Sequence, residues 1–374
     1  MTLVFSGFDI ERLAFPVSPG IETCMMREFF IYIGFLREPI LQVSNSRLMM
    51  KCEISRNVQS AARLIQNGEL VAFATETVYG LGANALDPEA VAQIFAVKQR
   101  PHFDPLIVHI ANTDQLEELT SDFTSTAEKL ASTFWPGPLT LVLPKKKIVP
   151  DLVTSGLNSV AIRIPAHPVA RELLDLARLP IAAPSANKFG CLSPTRAIDV
   201  AEQLGEEIKL ILDGGTCTVG VESTVIQCLG ECPVLLRPGG ISLEDIQACV
   251  GEIRMAEIED YAEVKSHVSP GMLPKHYAPG TPLIIVDHPD QLPESGLFGV
   301  LSLYPLEDTE FRDCQFSAQQ ILSPTGDLKI AATNFFSALR NLDASGVDQI
   351  IAIRLPERGL GRTINNRLER AAAS

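Results

Sequence analysis

The stretch TETVYGLGANALDPEAVAQIFAVKQRPHFDPLIVH, from Thr75 to His109, determines how the rest of the chain is interpreted. A short apolar run before it predicts a strand over 70–74, after which the chain enters a turn. The glycines of that turn, Gly80 and Gly82, permit backbone conformations and close approaches that a side chain would block. Asp87-Pro88-Glu89 then combines an N-cap, a first-turn proline and a first-turn acid, which predicts the start of an amphipathic helix.

The predicted helix ends in two cations. Lys98 and Arg100 stand two residues apart, and Pro101 and the apolar strand PLIVHI (Pro105 to Ile110) follow them. This arrangement places positive charge in a loop beside a buried strand, as in a site for a polyanionic ligand. The alternative is a solvated helix C-terminus whose cations are favoured by the helix dipole.

Composition limits the classes of function. The chain has 374 residues, enough for two domains, and a formal net charge of −14. Such an acidic balance argues against broad electrostatic binding to nucleic acid or to anionic membranes. The eight cysteines are scattered and complete no zinc set, which indicates reduced thiols in a cytoplasmic protein. The apolar run from Phe29 to Leu36 is too short to span a bilayer.

Periodicity predicts an α/β or mixed α+β fold with a twisted sheet, because short strands alternate with helices from Val58 onward. Ser125 and Thr195 are the predicted caps of two of these helices. Further along, three continuous apolar strands (282–287, 298–303 and 349–355) are of the buried parallel kind and alternate with helices. They predict a second, smaller Rossmann-like α/β domain. It contains no G-x-G-x-x-G, so dinucleotide binding is not predicted for it.

Five motifs in fixed order carry a family resemblance. They are TETVYGLGANA, K-x-R-P with a following D-P-L, PSAN, ESTVI and RPG, and together they resemble the YrdC-like domain of threonylcarbamoyl-AMP synthases over 58–250. SPGMLPKHYAP, at 269–279, resembles the linker of the longer, two-domain members. The predicted division is therefore an extension (1–50) that is poorly ordered or not native, a YrdC-like catalytic domain (51–252), a linker (253–281) and a C-terminal Rossmann-like domain (282–374).

The resemblance implies a nucleotidyltransferase that joins L-threonine, bicarbonate and ATP into threonylcarbamoyl-AMP and pyrophosphate. It also implies Mg²⁺ as the ion, and a tRNA-modifying transferase complex that takes the adenylate to make threonylcarbamoyladenosine in tRNA. This chemistry needs alignment of the reactants and cations against phosphate charge rather than a covalent nucleophile. The sequence agrees, since it has no G-x-S-x-G, H-E-x-x-H or Walker A motif.

The family's site residues transfer to matching positions of this sequence. Lys98 and Arg100 resemble the catalytic triphosphate clamp. The residues that the resemblance implies for ATP binding are Lys98, Arg100, Asp104, Thr140, Ala183, Ser185, Asn187, Arg237 and Tyr277. Those implied for threonine binding are Thr77, His109, Arg163 and Ser223.

Several of these positions leave alternatives open. Thr77 is otherwise a hydroxyl that caps a turn, and His109 is otherwise a core histidine with one hydrogen bond. Asp104 departs from the family's usual asparagine, and an acid there would weaken phosphate binding unless it holds magnesium or pairs with Lys98 or Arg100. Arg163 stands among apolar neighbours and must find an anion, either the threonine carboxylate or a structural salt bridge. Tyr277 is either a lid over the nucleotide, which would exclude water from the adenylate, or part of a packed spacer.

Two other functions compete. Stand-alone relatives of this domain bind double-stranded RNA, so an RNA-binding or ribosome-associated factor is one alternative, with the run Lys145 to Lys147 as a weak candidate contact. A hydrolase or carbamoyl-transfer module that shares the domain without adenylation is the other. Adenylation is favoured by the linker motif and by the intact set of Lys98, Arg100, Ser185, Asn187 and Arg237.

Overall fold

A computed structural model of the chain describes residues 52–101, 104–230, 232–256 and 277–373. The predicted extension (1–50) and most of the predicted linker, including residues 269–276 of its motif, lie outside the described residues. None of the described helices is long and apolar enough to cross a membrane.

Within the described residues, eleven strands form one sheet and four form a second. The first sheet runs in the order β1-β8-β2-β3-β7-β4-β6-β5-β9-β10-β11, with bounds β1 Glu53–Ser55, β2 Val71–Phe73, β3 Gly80–Asn84, β4 Ile107–His109, β5 Leu139–Pro144, β6 Ser159–Arg163, β7 Ile181–Ala182, β8 Leu210–Leu212, β9 Thr224–Gln227, β10 Val234–Arg237 and β11 Arg254–Met255. The helices that accompany it are α1 Val58–Gln66, α2 Pro88–Lys98, α3 Leu116–Leu119, α4 Ser125–Phe134, α5 Asp151–Thr154, α6 Pro168–Ala177, α7 Ala197–Leu204 and α8 Leu243–Val250.

The second sheet is parallel throughout its described strands, in the order β12-β15-β13-β14. Its strands are β12 Leu283–Val286, β13 Phe298–Ser302, β14 Ala318–Ile321 and β15 Gln349–Ile353, and its helices are α9 Leu328–Asp343 and α10 Leu360–Ala372. The three predicted apolar strands and their parallel pairing are confirmed. Strand β14 has the polar sequence AQQI and only partial burial, so periodicity did not reveal it.

The mixed α/β class with a twisted sheet and a smaller second α/β unit is therefore confirmed, whereas the exact domain limits stay a prediction. The glycine-rich stretch differs from the expectation. Gly80 and Gly82 lie in strand β3, which pairs antiparallel with β2, rather than in a turn. A Cβ on Gly82 would lie 2.7 Å from Phe73 Cε1 and 2.8 Å from Ile181 Cγ2, so only glycine permits this packing within the sheet.

Local caps explain where the helices begin. Asp87 caps α2 as predicted, because its Oδ1 accepts from the backbone N–H groups of Glu89 at 2.9 Å and Ala90 at 3.3 Å. The predicted cap at Ser125 is wrong by one residue: Thr124 is the cap, and its hydroxyl accepts from Ala127 N at 3.2 Å.

The predicted cap at Thr195 is also wrong. Helix α7 follows Arg196, and Thr195 instead donates its backbone N–H to Asp199 Oδ2 at 3.1 Å. The buried Asp199 carboxylate accepts from Arg196 N as well, at 3.0 Å. An acid inside the first turn thus accepts from the N–H groups of the two residues that precede the helix.

Strand ends position the candidate site. His109 and Arg163 are the last residues of β4 and β6, and the parallel register of these strands places the two residues opposite each other. Arg237 ends β10, and Ser223 directly precedes β9, the antiparallel neighbour of β10. Side chains distant in sequence are therefore brought to one region of the sheet.

Candidate functional site

One pocket, with about 520 Å³ of empty space including its mouth, contains most of the predicted site residues. Residues from both the implied nucleotide set and the implied threonine set line it. The predicted residues in its wall are Thr77, Arg100, His109, Arg163, Ala183, Ser185, Ser223, Arg237 and Tyr277, and they are joined there by Thr75, Val78, Gly80, Ile107, Pro184 and Glu222. Four predicted residues, Lys98, Asp104, Thr140 and Asn187, lie behind this wall.

Lys98 supports the wall rather than forming part of it. Its ammonium group donates to the backbone carbonyls of Ser185, at 2.6 Å, and Asn187, so it ties helix α2 to the PSAN loop. Burial, followed by the nearby charge of Arg100, holds the pKa of Lys98 well below its usual range. Lys98 therefore lies behind the wall with both loop carbonyls on its ammonium group, and its contact with phosphate stays a prediction.

Arg100 lines the pocket and is paired with Asp104. Its Nη2 lies 2.8 Å from Asp104 Oδ2, and both side chains are buried. The guanidinium also donates to the carbonyls of Asp104, at 3.2 Å, and Pro105, at 3.1 Å. Of the roles left open for Asp104, pairing with Arg100 is the one observed. The acid balances a buried cation that would otherwise be costly.

Arg163 is held by a structural salt bridge. Its Nη2 lies 2.6 Å from Glu76 Oε1, Nη1 donates to Thr77 Oγ1 at 2.9 Å, and Nε donates to Gly137 O at 3.2 Å. Glu76 was missed from the sequence; an acid inside an otherwise apolar, threonine-flanked motif is the signal that marks it. Because each terminal nitrogen of arginine carries two protons, Arg163 keeps donor capacity for a carboxylate in the pocket.

Glu76 keeps its charge in this buried position. Burial opposes ionisation, but the charge and hydrogen bond of Arg163 outweigh it and lower the pKa of Glu76. The second oxygen, Oε2, accepts from the backbone N–H groups of Ala166 at 3.0 Å and His167 at 3.3 Å. Arg163 is thereby fixed in orientation before any ligand arrives.

His109 presents a neutral imidazole. Burial, reinforced by the positive charge of Arg163, lowers its pKa to about 3. The ring packs edge-on against Phe73, with 6.1 Å between the ring centroids. At neutral pH, His109 therefore offers hydrogen bonding to a ligand without adding a second positive charge beside Arg163.

Ser223 and Arg237 link the two halves of the pocket. Arg237 Nη2 donates to Ser223 O at 2.9 Å and to Ser223 Oγ at 3.2 Å, and the Ser223 hydroxyl lies 2.7 Å from Thr140 Oγ1. Thr140 thus orients Ser223 from behind the wall. A residue implied for threonine binding consequently contacts one implied for nucleotide binding.

Asn187 also acts from behind the wall. Its amide nitrogen donates to the carbonyls of Lys188, at 2.7 Å, and Cys191, at 2.9 Å, which closes the loop that follows the PSAN motif. Asn187 therefore supports the loop that carries Ser185 and does not line the pocket, and its contact with ATP stays a prediction.

Tyr277 closes the pocket from the side of the second sheet. Its ring is buried and packs near Phe336, with 5.7 Å between centroids. The next residue, Ala278, donates its N–H to Gly190 O at 2.8 Å, which fixes the chain beside the loop after PSAN. The observed position is compatible with both alternatives for Tyr277, since the ring lines the pocket and also packs in a core.

Glu222 is a second pocket residue missed from the sequence, although it belongs to the ESTVI motif. Ser193 Oγ donates to its Oε1 at 2.6 Å, and Arg367 Nε donates to its Oε2 at 2.9 Å. Burial opposes ionisation of Glu222, but the charges of Arg367 and Arg237 with these hydrogen bonds lower its pKa. A buried, charged carboxylate therefore stands in the wall of a pocket rich in arginine.

The described residues include no group of three or more His, Cys, Asp or Glu side chains placed to hold a metal ion. Near the pocket, the carboxylates of Glu76, Asp104 and Glu222 each pair with an arginine. A magnesium site built from three or more carboxylates is thus not present among these residues. The cysteines among the described residues are free thiols.

The lysine run proposed as a weak RNA contact is tied to the protein itself. Lys145 Nζ lies 2.5 Å from Asp151 Oδ1, and Lys146 donates to the carbonyl of Glu117. These contacts favour the interpretation of a structural loop.

Two family models match consecutive parts of the chain. The family model described as "Telomere recombination" matches residues 63–239, and the model described as "Threonylcarbamoyl-AMP synthase, C-terminal domain" matches residues 241–373. A protein of Pyrococcus abyssi named threonylcarbamoyl-AMP synthase is 45% identical over 318 residues, which cover 84% of this chain and 94% of that protein. The Bacillus subtilis protein of the same name is 45% identical over 336 residues, 86% of this chain and 95% of that protein.

A solved structure of a relative is similar to this chain in fold as well as in sequence. The crystal structure of P. abyssi Sua5 complexed with L-threonine is 45% identical in sequence and superposes with a TM-score of 0.77, covering 84% of this chain and 94% of that chain.

Proposed function

Since the chain belongs to the threonylcarbamoyl-AMP synthase family, we propose that its pocket joins L-threonine, bicarbonate and ATP into threonylcarbamoyl-AMP with release of pyrophosphate. The single observation that carries the residue assignment is the contact between Ser223 and Arg237. Through it, the side chains assigned to the amino acid and those assigned to the nucleotide share one wall.

The chemistry requires two bond-forming steps. The threonine amine attacks the carbon of bicarbonate, and loss of water leaves a carbamate. A carbamate oxygen then attacks the α-phosphorus of ATP, and the bond from that phosphorus to the bridging oxygen breaks, so pyrophosphate leaves with the electron pair. The protein supplies alignment and positive charge for these steps, which require no covalent enzyme intermediate.

We assign the amino-acid end of the pocket to Thr77, His109, Arg163 and Ser223. Arg163 offers its remaining N–H groups to the threonine carboxylate, and the salt bridge to Glu76 holds the guanidinium in place. His109 is neutral, so it can contact the amino acid without repelling an ammonium group in equilibrium with the reactive amine. The relative crystallised with L-threonine supports an amino-acid site in this fold.

We assign the nucleotide end to Arg100, Ala183, Ser185, Arg237 and Tyr277. Arg100 and Arg237 are cations that can meet phosphate charge at this end of the wall, and Tyr277 covers the pocket from the side of the second sheet. Lys98, Asp104, Thr140 and Asn187 act one layer back by fixing these groups. Because the carboxylates of Glu76, Asp104 and Glu222 are paired with arginines, the Mg²⁺ implied by the family would enter with the nucleotide and would neutralise phosphate charge there.

The product is an adenylate that water would hydrolyse, so a buried pocket and a transferase complex that accepts the product for tRNA modification are both parts of the proposal. RNA binding as the main activity is not favoured, since the chain carries a net charge of −14 and Lys145 and Lys146 are engaged locally.

The test is pyrophosphate release by the purified protein with ATP alone, with each co-substrate added singly, and with both added. Release that requires both threonine and bicarbonate supports the proposal. Release at the same rate with ATP alone would favour a hydrolase. Salt-dependent binding of a duplex RNA without threonine-dependent release would favour the RNA-binding alternative.

A further inference from the structure

A side chain from the second α/β unit reaches the pocket of the first. Arg367, on helix α10, is fully buried and donates to Glu222 Oε2 at 2.9 Å through Nε and to Pro238 O at 2.9 Å through Nη2. Its guanidinium carbon also lies 5.1 Å from the centroid of the Tyr277 ring. Two pocket residues, Glu222 and Tyr277, are therefore held by one arginine that does not itself line the pocket.

The contact of Arg367 with Glu222 matters because Glu222 shares the pocket wall with Arg237. Glu222 contributes an attractive charge to that arginine. A carboxylate in such a place competes with phosphate for the same cation. In the structure both carboxylate oxygens are engaged elsewhere, Oε1 by the hydroxyl of Ser193 and Oε2 by Arg367.

We propose that Arg367 is a positioning residue for nucleotide binding: by holding Glu222, it keeps this carboxylate from competing with the phosphates of ATP for Arg237. The inference rests on the proposed function, because it takes Arg237 as a phosphate contact. The inference gives the C-terminal unit a role in the reaction. Helix α10 adds no side chain to the pocket wall, but through Arg367 it fixes the position of the Glu222 carboxylate in that wall.

A second arginine provides a matched control. Arg340, on helix α9, also crosses to the first unit, where its Nη2 donates to Leu192 O at 2.7 Å and its Nε lies 3.7 Å from Asp199 Oδ2. Neither Leu192 nor Asp199 lines the pocket. Replacing Arg340 therefore disturbs the contact between the two units without altering the charges around the nucleotide.

The experiment measures ATP affinity by calorimetry, with the KM for ATP and kcat from pyrophosphate release, in the full-length protein. We expect Arg367→Met to weaken ATP binding about tenfold, because the Glu222 carboxylate then turns to Arg237 and competes with phosphate. The double variant Arg367→Met/Glu222→Gln should bind ATP within about threefold of wild type. Arg340→Met should lower the melting temperature while leaving ATP affinity unchanged.

Recovery of ATP affinity on adding Glu222→Gln distinguishes a positioning role of Arg367 from mere support of the fold. If Arg367→Met only damaged the fold, removing the charge of Glu222 as well would not restore ATP binding. Weaker ATP binding in the double variant than in Arg367→Met would overturn the inference, as would a folded Arg367→Met with unchanged affinity. If Arg367→Met does not fold, Arg367→Lys takes its place. Rescue of ATP binding by Glu222→Gln is again expected, and weaker ATP binding in the double variant than in Arg367→Lys would again overturn the inference. A wild-type protein that neither binds ATP nor releases pyrophosphate would instead refute the proposed function itself.

Discussion

The buried pair of Arg100 and Asp104 gives a sharp prediction about stability. The two charged groups lie 2.8 Å apart, and 3% of the arginine side chain and 0% of the aspartate side chain are exposed. Replacing Arg100 with alanine leaves a buried carboxylate without its arginine, which costs about 3–5 kcal/mol of unfolding free energy. A loss of that size is a large fraction of the roughly 5–15 kcal/mol that stabilises a typical domain.

The double variant Arg100→Ala/Asp104→Asn should recover most of this loss, because asparagine removes the buried charge and keeps the size of the side chain. Both variants should lose ATP affinity, since both lack the cation. Stability is measured by urea unfolding followed by circular dichroism, and affinity by calorimetry.

An exposed pair serves as the control. Arg312 Nε lies 3.7 Å from Asp313 Oδ2, and both side chains are largely exposed. Arg312→Ala should change stability by less than about 1 kcal/mol. The reasoning is refuted if Arg100→Ala is as stable as its double variant, or if its loss is no larger than that of Arg312→Ala.

Three further predictions concern acid stability, the loop and a cap. The pKa of His109 is lowered from 6.5 to about 3, so the unfolded state binds a proton that the folded state does not, and stability falls as the pH drops from 6.5 to 3. The unfolding free energy of His109→Asn, measured by urea unfolding, should fall less steeply with pH over this range. Equal slopes for the variant and the wild type would contradict the lowered pKa. Lys98→Met removes the hydrogen bond to Ser185 O and should speed hydrogen exchange of the amides in that loop and weaken ATP binding, whereas unchanged exchange would count against a supporting role. Thr124→Ala should cost about 1 kcal/mol and Ser125→Ala much less, and the reverse order in thermal melts would contradict the observed cap.

Local signals in the sequence were sufficient for much of the fold. The side chain of Asp87 and the proline after it act within one helical turn, so the start of helix α2 could be predicted. The apolar strands of the second sheet were recognisable because parallel strands are buried on both faces. The sequence predicts a turn at Gly82, whereas the structure has a strand there. The need for glycine comes from the close approach of Phe73 and Ile181, and Ile181 is distant in sequence.

The candidate site shows the same limit. Motif resemblance selected side chains that the structure gathers into one pocket, but it did not reveal which groups hold them. Arg163 and Glu76 are 87 positions apart, and Glu222 and Arg367 are 145 positions apart. No periodicity or local spacing connects partners at such separations, so their pairing becomes visible only when the strands and helices are assembled.

The most direct test of the central claim, that amino acid and nucleotide react within one shared pocket, uses ¹³C-labelled bicarbonate. The protein is incubated with ATP and L-threonine, and the nucleotide products are analysed by mass spectrometry. We predict an adenylate that contains both threonine and the labelled carbon, and that does not form with Arg237→Ala or when threonine is omitted. Formation of AMP or ADP without any labelled adduct, at a rate independent of threonine, would contradict the account.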